Sequence, residues 1–235
     1  MLTVAVCTGN RPRELRRALV SLVRQTPPPS EILVIDNAPV DDRTRELVER
    51  EFPDVRYQEE PMPGLGFARN RALSAALGDV VAFLDDDTEA APGWAAALLK
   101  PFEEDRQVAA VAGSNGLRTR LPRELEQPMP STGTLVGQVL DLGVSSLAVD
   151  RWRMLRLNGF DEKLVAGSAL DAIWRLMAAG WVVVTEPAAQ ARQLQARGRR
   201  KARVAFLLKW LREARGPSRV GLLARLAWQL LPRRG

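Results

Sequence analysis

Two short, wholly apolar runs, residues 32–35 and 80–84, each stop on aspartate: the first on Asp36, the second on three in succession, Asp85, Asp86 and Asp87. Runs of four or five apolar residues are too short for helices and fit strands buried on both faces. The pattern around them repeats. Residues 2–7 form another apolar run, followed by Thr8-Gly9-Asn10-Arg11-Pro12 and then by Leu15, Ala18, Leu19 and Leu22 at helical spacing. After the break at Pro27-Pro28-Pro29 come a strand over 31–36, a helix over 41–52, a strand near Val55-Arg56-Tyr57 and a Pro/Gly-rich loop ending at Gly66. A helix over about 67–77 then leads into the strand 80–84. Further on, Pro92-Gly93-Trp94 opens a helix, 108–112 reads as a strand, 114–130 as irregular, and Leu147-Ala148-Val149 as a strand. A turn at Asn158-Gly159-Phe160-Asp161, a helix over 171–179 and a strand over 181–185 complete the body. Strands alternating with helices predict an α/β fold, a mostly parallel sheet flanked by helices, with ligands at the carboxyl ends of the strands. Thr8, Asp36 and the three aspartates all fall at such ends, so they are expected to converge.

Composition narrows the chemistry. The 235 residues, 46% of them hydrophobic, suffice for one substantial α/β domain, read as 1–190, with an appendage over 191–235. There is no histidine, so imidazole is excluded as base, nucleophile or metal ligand, and Cys7 as the single cysteine leaves no disulfide framework or cysteine zinc site. Carboxylates remain. The lone cysteine, an N-terminus that reads as a strand rather than a leader, and the lack of an apolar stretch near 20 residues predict a cytoplasmic protein with at most peripheral membrane contact.

Three adjacent carboxylates after a buried strand repel one another unless a cation compensates them. They can simply end the strand and cap a turn. Alternatively, Asp85 and Asp87 supply hard oxygen ligands to Mg²⁺ or Mn²⁺ already bridged to a diphosphate. The second reading draws support from Asp36 at a neighbouring strand end, and from the segment 64–70, whose glycines, Arg69 and Asn70 suit a diphosphate and ribose.

Several segments, in order, resemble the family-two glycosyltransferases, which have the GT-A fold. Val6-Cys7-Thr8-Gly9-Asn10-Arg11-Pro12 resembles the family's first strand and loop, and Ile32-Leu33-Val34-Ile35-Asp36-Asn37 its second strand with a nucleotide-reading acid. Gly64-Leu65-Gly66-Phe67-Ala68-Arg69-Asn70 resembles the donor loop, Val81-Ala82-Phe83-Leu84-Asp85-Asp86-Asp87 the DxD motif, and Asn158-Gly159-Phe160-Asp161-Glu162 the "GGFDE" turn on the acceptor side. The resemblance spans about residues 2–187. It implies donor contacts from Thr8, Asn10, Arg11, Asp36, Gly64, Arg69, Asn70, Asp85 and Asp86, and metal ligation by Asp87 with Asp85. It further implies inverting transfer from a nucleoside-diphosphate sugar to a hydroxyl-bearing glycan or lipid-linked acceptor, a reaction that needs a base.

The pattern departs from the family at that base. Where members carry a Glu-Asp pair before the helix, this chain has Ser168-Ala169, followed by Leu170 and by Asp171-Ala172-Ile173-Trp174-Arg175-Leu176, which matches the helix. The family's histidine after the last strand is also missing near Glu186-Pro187-Ala188-Ala189-Gln190. Asp171 is a substitute base or a helix N-terminal acid, and two residues along a helix turn a side chain by about 200° from the Ala169 position. Asp161 and Glu162 are other carboxylates nearby. The expected function is therefore metal-assisted glycosyl transfer, with a donor-binding pseudoenzyme or scaffold as the alternative. A nucleotidyltransferase fits less well, because the loop from Thr8 to Arg11 is too short and glycine-poor to cradle a triphosphate.

The net charge of +6 is uneven: from Arg192 onward stand 13 Lys/Arg against one acid, Glu213, leaving 21 basic and 27 acidic residues before it. Arg197 to Lys201 form a basic cluster. Val204, Leu207, Leu208 and Leu211 follow at helical spacing, and after Gly216-Pro217 a second amphipathic stretch contains Val220, Leu226, Leu230 and Trp228. This tail suits an anionic membrane surface, or a helical hairpin packed on the body or on a second subunit in a homo-oligomer. Nucleic-acid binding ranks below these, since no recognition motif accompanies the arginines.

Overall fold

A computed structural model of the chain describes residues 1–114, 146–164, 166–194 and 199–213. Its elements run β1 (Leu2–Thr8), α1 (Pro12–Val23), β2 (Glu31–Asn37), α2 (Arg43–Glu51), β3 (Arg56–Glu60), α3 (Leu65–Ala75) and β4 (Val80–Asp85). Then come β5 (Thr88–Ala90), α4 (Trp94–Glu104), β6 (Val108–Ser114), β7 (Ser146–Asp150) and α5 (Arg151–Arg156). The described chain closes with α6 (Ser168–Ala178), β8 (Val182–Gln193) and α7 (Arg199–Glu213). The stretch expected to be irregular contributes Ser114 to β6, and 115–130 lie outside the described residues.

The strands form one sheet in the order β3-β2-β1-β4-β7-β6-β8-β5. The half that carries the acids, β3 to β4, is parallel throughout. Beyond it β7 runs antiparallel to both β4 and β6, β8 is parallel to β6, and β5 is antiparallel to β8. Side chains alternate across this sheet with the period of two that strands impose. Val4, Val6 and Val34 pack on Leu15, Leu19 and Leu22 of α1, Leu47 of α2 and Leu98 of α4. Ala5, Leu33, Ile35 and Phe83 face Leu73 of α3, Met154 of α5, Ile173 of α6 and Phe206 of α7. Both faces are covered, which is why the strands read as unbroken apolar runs. Leu15, Leu19 and Leu22 are fully buried, each contributing roughly 1.5–3 kcal/mol of transfer free energy.

Two elements differ most in extent from the sequence expectation, β5 and α5 are additions to it, and α7 takes one of the placements expected for the tail. α6 starts at Ser168 rather than 171, directly after Gly167 in the left-handed region at φ 84°. β8 continues past Glu186-Pro187 to Gln193, because its second half turns to pair with β5 after a register shift against β6. The first amphipathic stretch of the tail is α7, which packs on the body: Trp174 of α6 meets Phe206 and Trp210 at ring-centroid distances of 6.0 and 5.7 Å. Residues 197–198 of the basic cluster and the second stretch, 220–231, lie outside the described residues. Among the described residues no helix is long and apolar enough to cross a membrane.

Candidate functional site

The strand register brings the expected residues together. Thr8 of β1 lies beside Asp36 of β2, and Cys7 lies beside Asp85 of β4 on the other flank. With strands about 4.8 Å apart, Asp36 and the first aspartate of the run sit roughly 10 Å from each other across the end of β1.

Asp36 is fully buried. Its Oδ2 accepts a hydrogen bond from the Tyr57 hydroxyl at 3.0 Å, while Oδ1 has no hydrogen-bond partner among the described residues. Burial pushes its carboxyl above the ordinary range and Glu59 and Asp41 add to this, against the Tyr57 and Thr44 hydroxyls. Tyr57 is itself braced: Arg45 lies over its ring at 5.5 Å and pairs with Glu59. A buried acceptor without a donor is costly and marks a place where a ligand N–H or O–H fits.

The three consecutive aspartates have three different surroundings. Asp85, about one-third exposed, has Arg69 Nη2 at 3.7 Å. Asp86 is buried and saturated, its Oδ2 accepting from Thr8 Oγ1 at 2.8 Å and its Oδ1 paired with Arg11 Nη2 at 2.7 Å. Asp87 is also buried, and among the described residues its carboxylate has only long contacts, from Thr88 Oγ1 at 3.4 Å and Gln193 Nε2 at 3.5 Å. Burial raises Asp85 to about 6, with Asp87 and Asp86 adding and Arg69 and Arg11 opposing. Burial likewise raises Asp86 to about 6, against Arg11 and the Thr8 hydroxyl. The neighbouring Cys7 thiol is pushed up to about 12 by burial, which keeps it a protonated, inert group.

The loops at this end are stitched by asparagines. Asn10, at φ 58°, donates to the Ala38 carbonyl at 3.3 Å and accepts from the Val40 N–H at 2.9 Å. Asn37 accepts from the Gly64 N–H at 2.8 Å and donates to the Met62 carbonyl at 2.6 Å, so the loop after β3 is fixed by β2. Gly64 has φ 137°, which only glycine adopts without strain. Asn70 does not face the aspartates. Its amide bonds both the N–H and the carbonyl of Phe160, at 2.7 and 2.9 Å, and Glu162 at 2.8 Å. Arg69, one residue earlier and buried, does reach the site, bonding Ser168 Oγ at 2.7 Å and lying over the Phe160 ring at 5.4 Å.

Around the expected base the picture changes. Ala169 is buried in the first turn of α6, beside Ser168 with its Arg69 contact. Asp171 is fully buried and carries three donors: Arg175 Nε at 2.9 Å on Oδ2, with Lys209 Nζ at 2.7 Å and Trp210 Nε1 at 3.1 Å on Oδ1. A carboxylate so occupied is a fold-holding group with no room for an acceptor hydroxyl.

Tyr57 and Gln193 were not singled out from the sequence. For Tyr57 a signal existed, since parallel pairing of β3 with β2 sets Glu59 opposite Asp36 and Tyr57 two residues before it on the same face. Gln193 reaches Asp87 only because β8 turns toward β5, and no local pattern announces that.

The donor set fits a divalent cation shared with a ligand. Asp85 and Asp87 offer hard oxygens not saturated by protein donors, whereas Asp86 has none to spare. Among the described residues no group of three or more His, Cys, Asp or Glu side chains is arranged to hold a metal, so the remaining ligands would have to come from a phosphate group and water.

Similarity to known proteins agrees with this geometry. Residues 3–160 match the model of glycosyl transferase family 2. The pre-mycofactocin glycosyltransferase of Mycobacterium tuberculosis is 28% identical over 199 residues, covering 80% of this chain and 41% of that protein. The glucosyl-dolichyl phosphate glucuronosyltransferase of Haloferax volcanii is 28% identical over 119 residues, covering 48% of this chain and 37% of that protein. The chain thus spans about two-fifths of the length of these relatives. In fold it is similar to a mannosyltransferase from Pyrobaculum calidifontis solved with GDP-Man and Mn²⁺, with a TM-score of 0.70 and 22% identity, covering 97% of this chain and 71% of that one. It is also similar to GalNAc-T7 solved with UDP, GalNAc and Mn²⁺, with a TM-score of 0.64 and 17% identity, covering 82% and 43%. The run of segments, the sheet that gathers their acids at one end and the match over residues 3–160 make this chain a member of glycosyl transferase family 2.

Proposed function

We propose that the chain binds a nucleoside-diphosphate sugar and transfers its sugar, with inversion, to a hydroxyl-bearing glycan or lipid-linked acceptor. The observation that carries this reading is the unpartnered buried Oδ1 of Asp36 lying one strand away from the aspartate run. Asp36 accepts from the base or ribose, and the Tyr57 hydroxyl fixes its other oxygen. Arg69, buried beside Asp85 with the neutral Ser168 as its hydrogen-bond partner, supplies positive charge to the diphosphate. Asp85 and Asp87 would hold Mg²⁺ or Mn²⁺, which would supply Lewis-acid stabilisation of the departing nucleoside diphosphate. Asp86 holds Thr8 and Arg11, and through them the loop after β1, against this end of the sheet. The transferase body runs beyond 190 to the end of β8 at Gln193 and carries α7 packed on it, and the basic residues of 191–235 support peripheral contact with an anionic membrane on the cytoplasmic side.

A second reading, donor binding without transfer, is favoured by Ala169 at the base position and by the saturated Asp171. Incubation with UDP-, GDP- and TDP-sugars and Mn²⁺ separates the two through hydrolysis, in which water takes the acceptor's place. Release of the nucleoside diphosphate and the free sugar is the expected result. Tight binding of a donor that stays intact would leave the pseudoenzyme reading standing.

A further inference from the structure

The turn at residues 157–162 is held from two sides. From α3, Asn70 clamps the backbone of Phe160 and bonds Glu162, and Gly66 allows contact so close that a Cβ there would lie 2.8 Å from the Asp161 carbonyl. From the opposite side, Arg175 of α6 donates to the carbonyls of Leu157 and Gly159 at 2.7 and 2.6 Å. The remaining restraint comes from α7, beyond the residues matched by the family model. Lys209 Nζ lies 2.8 Å from Asp161 Oδ2 in the turn and 2.7 Å from Asp171 Oδ1 in α6. Lys209 and Arg175 also wall a cleft of about 360 Å³ that the turn lines from Leu157 to Lys163.

What the turn carries is Phe160. Its ring meets Phe83 of β4 edge-on at a centroid distance of 5.2 Å and lies beneath the Arg69 guanidinium. Phe83 stands two residues before Asp85, and Arg69 is the cation nearest that carboxylate among the described residues. An unbroken series of contacts therefore runs from Lys209 through Asp161 and Phe160 to Arg69. We infer that Lys209 is a positioning residue for the donor site: by pinning Asp161 it sets the turn, and the turn sets the Arg69 guanidinium against Asp85. The inference rests on the donor reading above. It makes α7 a working part of the site as well as a packing element.

The test is calorimetric titration of the full chain with UDP, GDP and TDP in the presence of Mn²⁺. For whichever nucleotide binds, Lys209→Met is expected to weaken affinity about tenfold, within the range by which remote contacts modulate a site. Lys209→Arg, which keeps a cation between the two aspartates, is expected to restore most of it. Leu211→Ala supplies the structural control, because Leu211 packs on the core from the same helix without bonding either carboxylate. It should lower thermal stability and leave affinity within about twofold. Unchanged affinity in Lys209→Met, or an equal loss in Leu211→Ala, overturns the inference. Absence of binding by the unaltered protein overturns the donor reading and this inference with it.

Discussion

The two acidic regions of the molecule differ in how far the protein satisfies its own charge. At the ends of β2 and β4, among the described residues, Asp36 has an orphaned oxygen, Asp87 has only contacts of 3.4 Å or longer, and the nearest cation to Asp85 is 3.7 Å away. Around α6 and the 157–162 turn, Asp171 has three donors at 3.1 Å or less and Asp161 has Lys209 at 2.8 Å. The ionisation follows. Burial raises the poorly partnered Asp36 and Asp85, whereas at Asp161 the Lys209 ammonium and the Lys163 N–H outweigh burial and hold the carboxyl below its ordinary value. Unsatisfied charge that the fold maintains at a cost marks a ligand site, and satisfied charge marks a joint of the scaffold.

The sharpest way to break this contrast is to remove one carboxylate from each region. Asp171→Ala leaves Arg175 and Lys209 without their shared partner and is predicted to cost about 3–5 kcal/mol in a denaturant titration. Asp36→Asn removes a poorly compensated charge and should stay within about 1 kcal/mol of the unaltered protein. Equal losses would erase the distinction. A smaller effect is expected at the turn, where Gly159 has φ 67° and a Cβ would overlap Asn70 Oδ1. Gly159→Ala should lower stability by about 1–3 kcal/mol.

The smallest predicted effect is on pH dependence. Asp85 and Asp86 titrate near 6 when folded, against an ordinary value of 3.8, so the fold holds these protons more tightly than the unfolded chain does. Their contribution to stability is complete below about pH 4 and is lost as pH rises to about 6. Thermal melts of the metal-free protein should show this decline. Mn²⁺ competes with the Asp85 proton, so the stabilisation it adds should grow over that window, and a flat profile would contradict the assignment.

Much of the convergence at the strand ends was legible because its signals are local. An apolar run ending on an acid declares a strand end, and the Pro/Gly-rich segment from Pro61 to Gly64 declares the loop before α3. The roles of Asn70 and Asp171 were not legible, since each depends on partners about 90 or 38 residues away in sequence. Only folding shows that Asn70 points at the 157–162 turn while Arg69, its neighbour, points at Asp85. The reversal of β7 was hidden for a related reason: a strand buried on both faces has the same residue pattern in either direction. The three-residue β5 is too short to carry any periodicity.

The central claim is that Asp87 and Asp85 hold a metal shared with a nucleoside diphosphate, and calorimetric titration of UDP, GDP and TDP with and without Mn²⁺ tests it directly. One nucleotide should bind in a Mn²⁺-dependent manner. Asp87→Ala should weaken that binding by about a hundredfold or more, since even the outer partners of metal ligands are worth 10–100-fold, while the thermal midpoint hardly moves. Binding that ignores Mn²⁺ or survives Asp87→Ala would contradict the account.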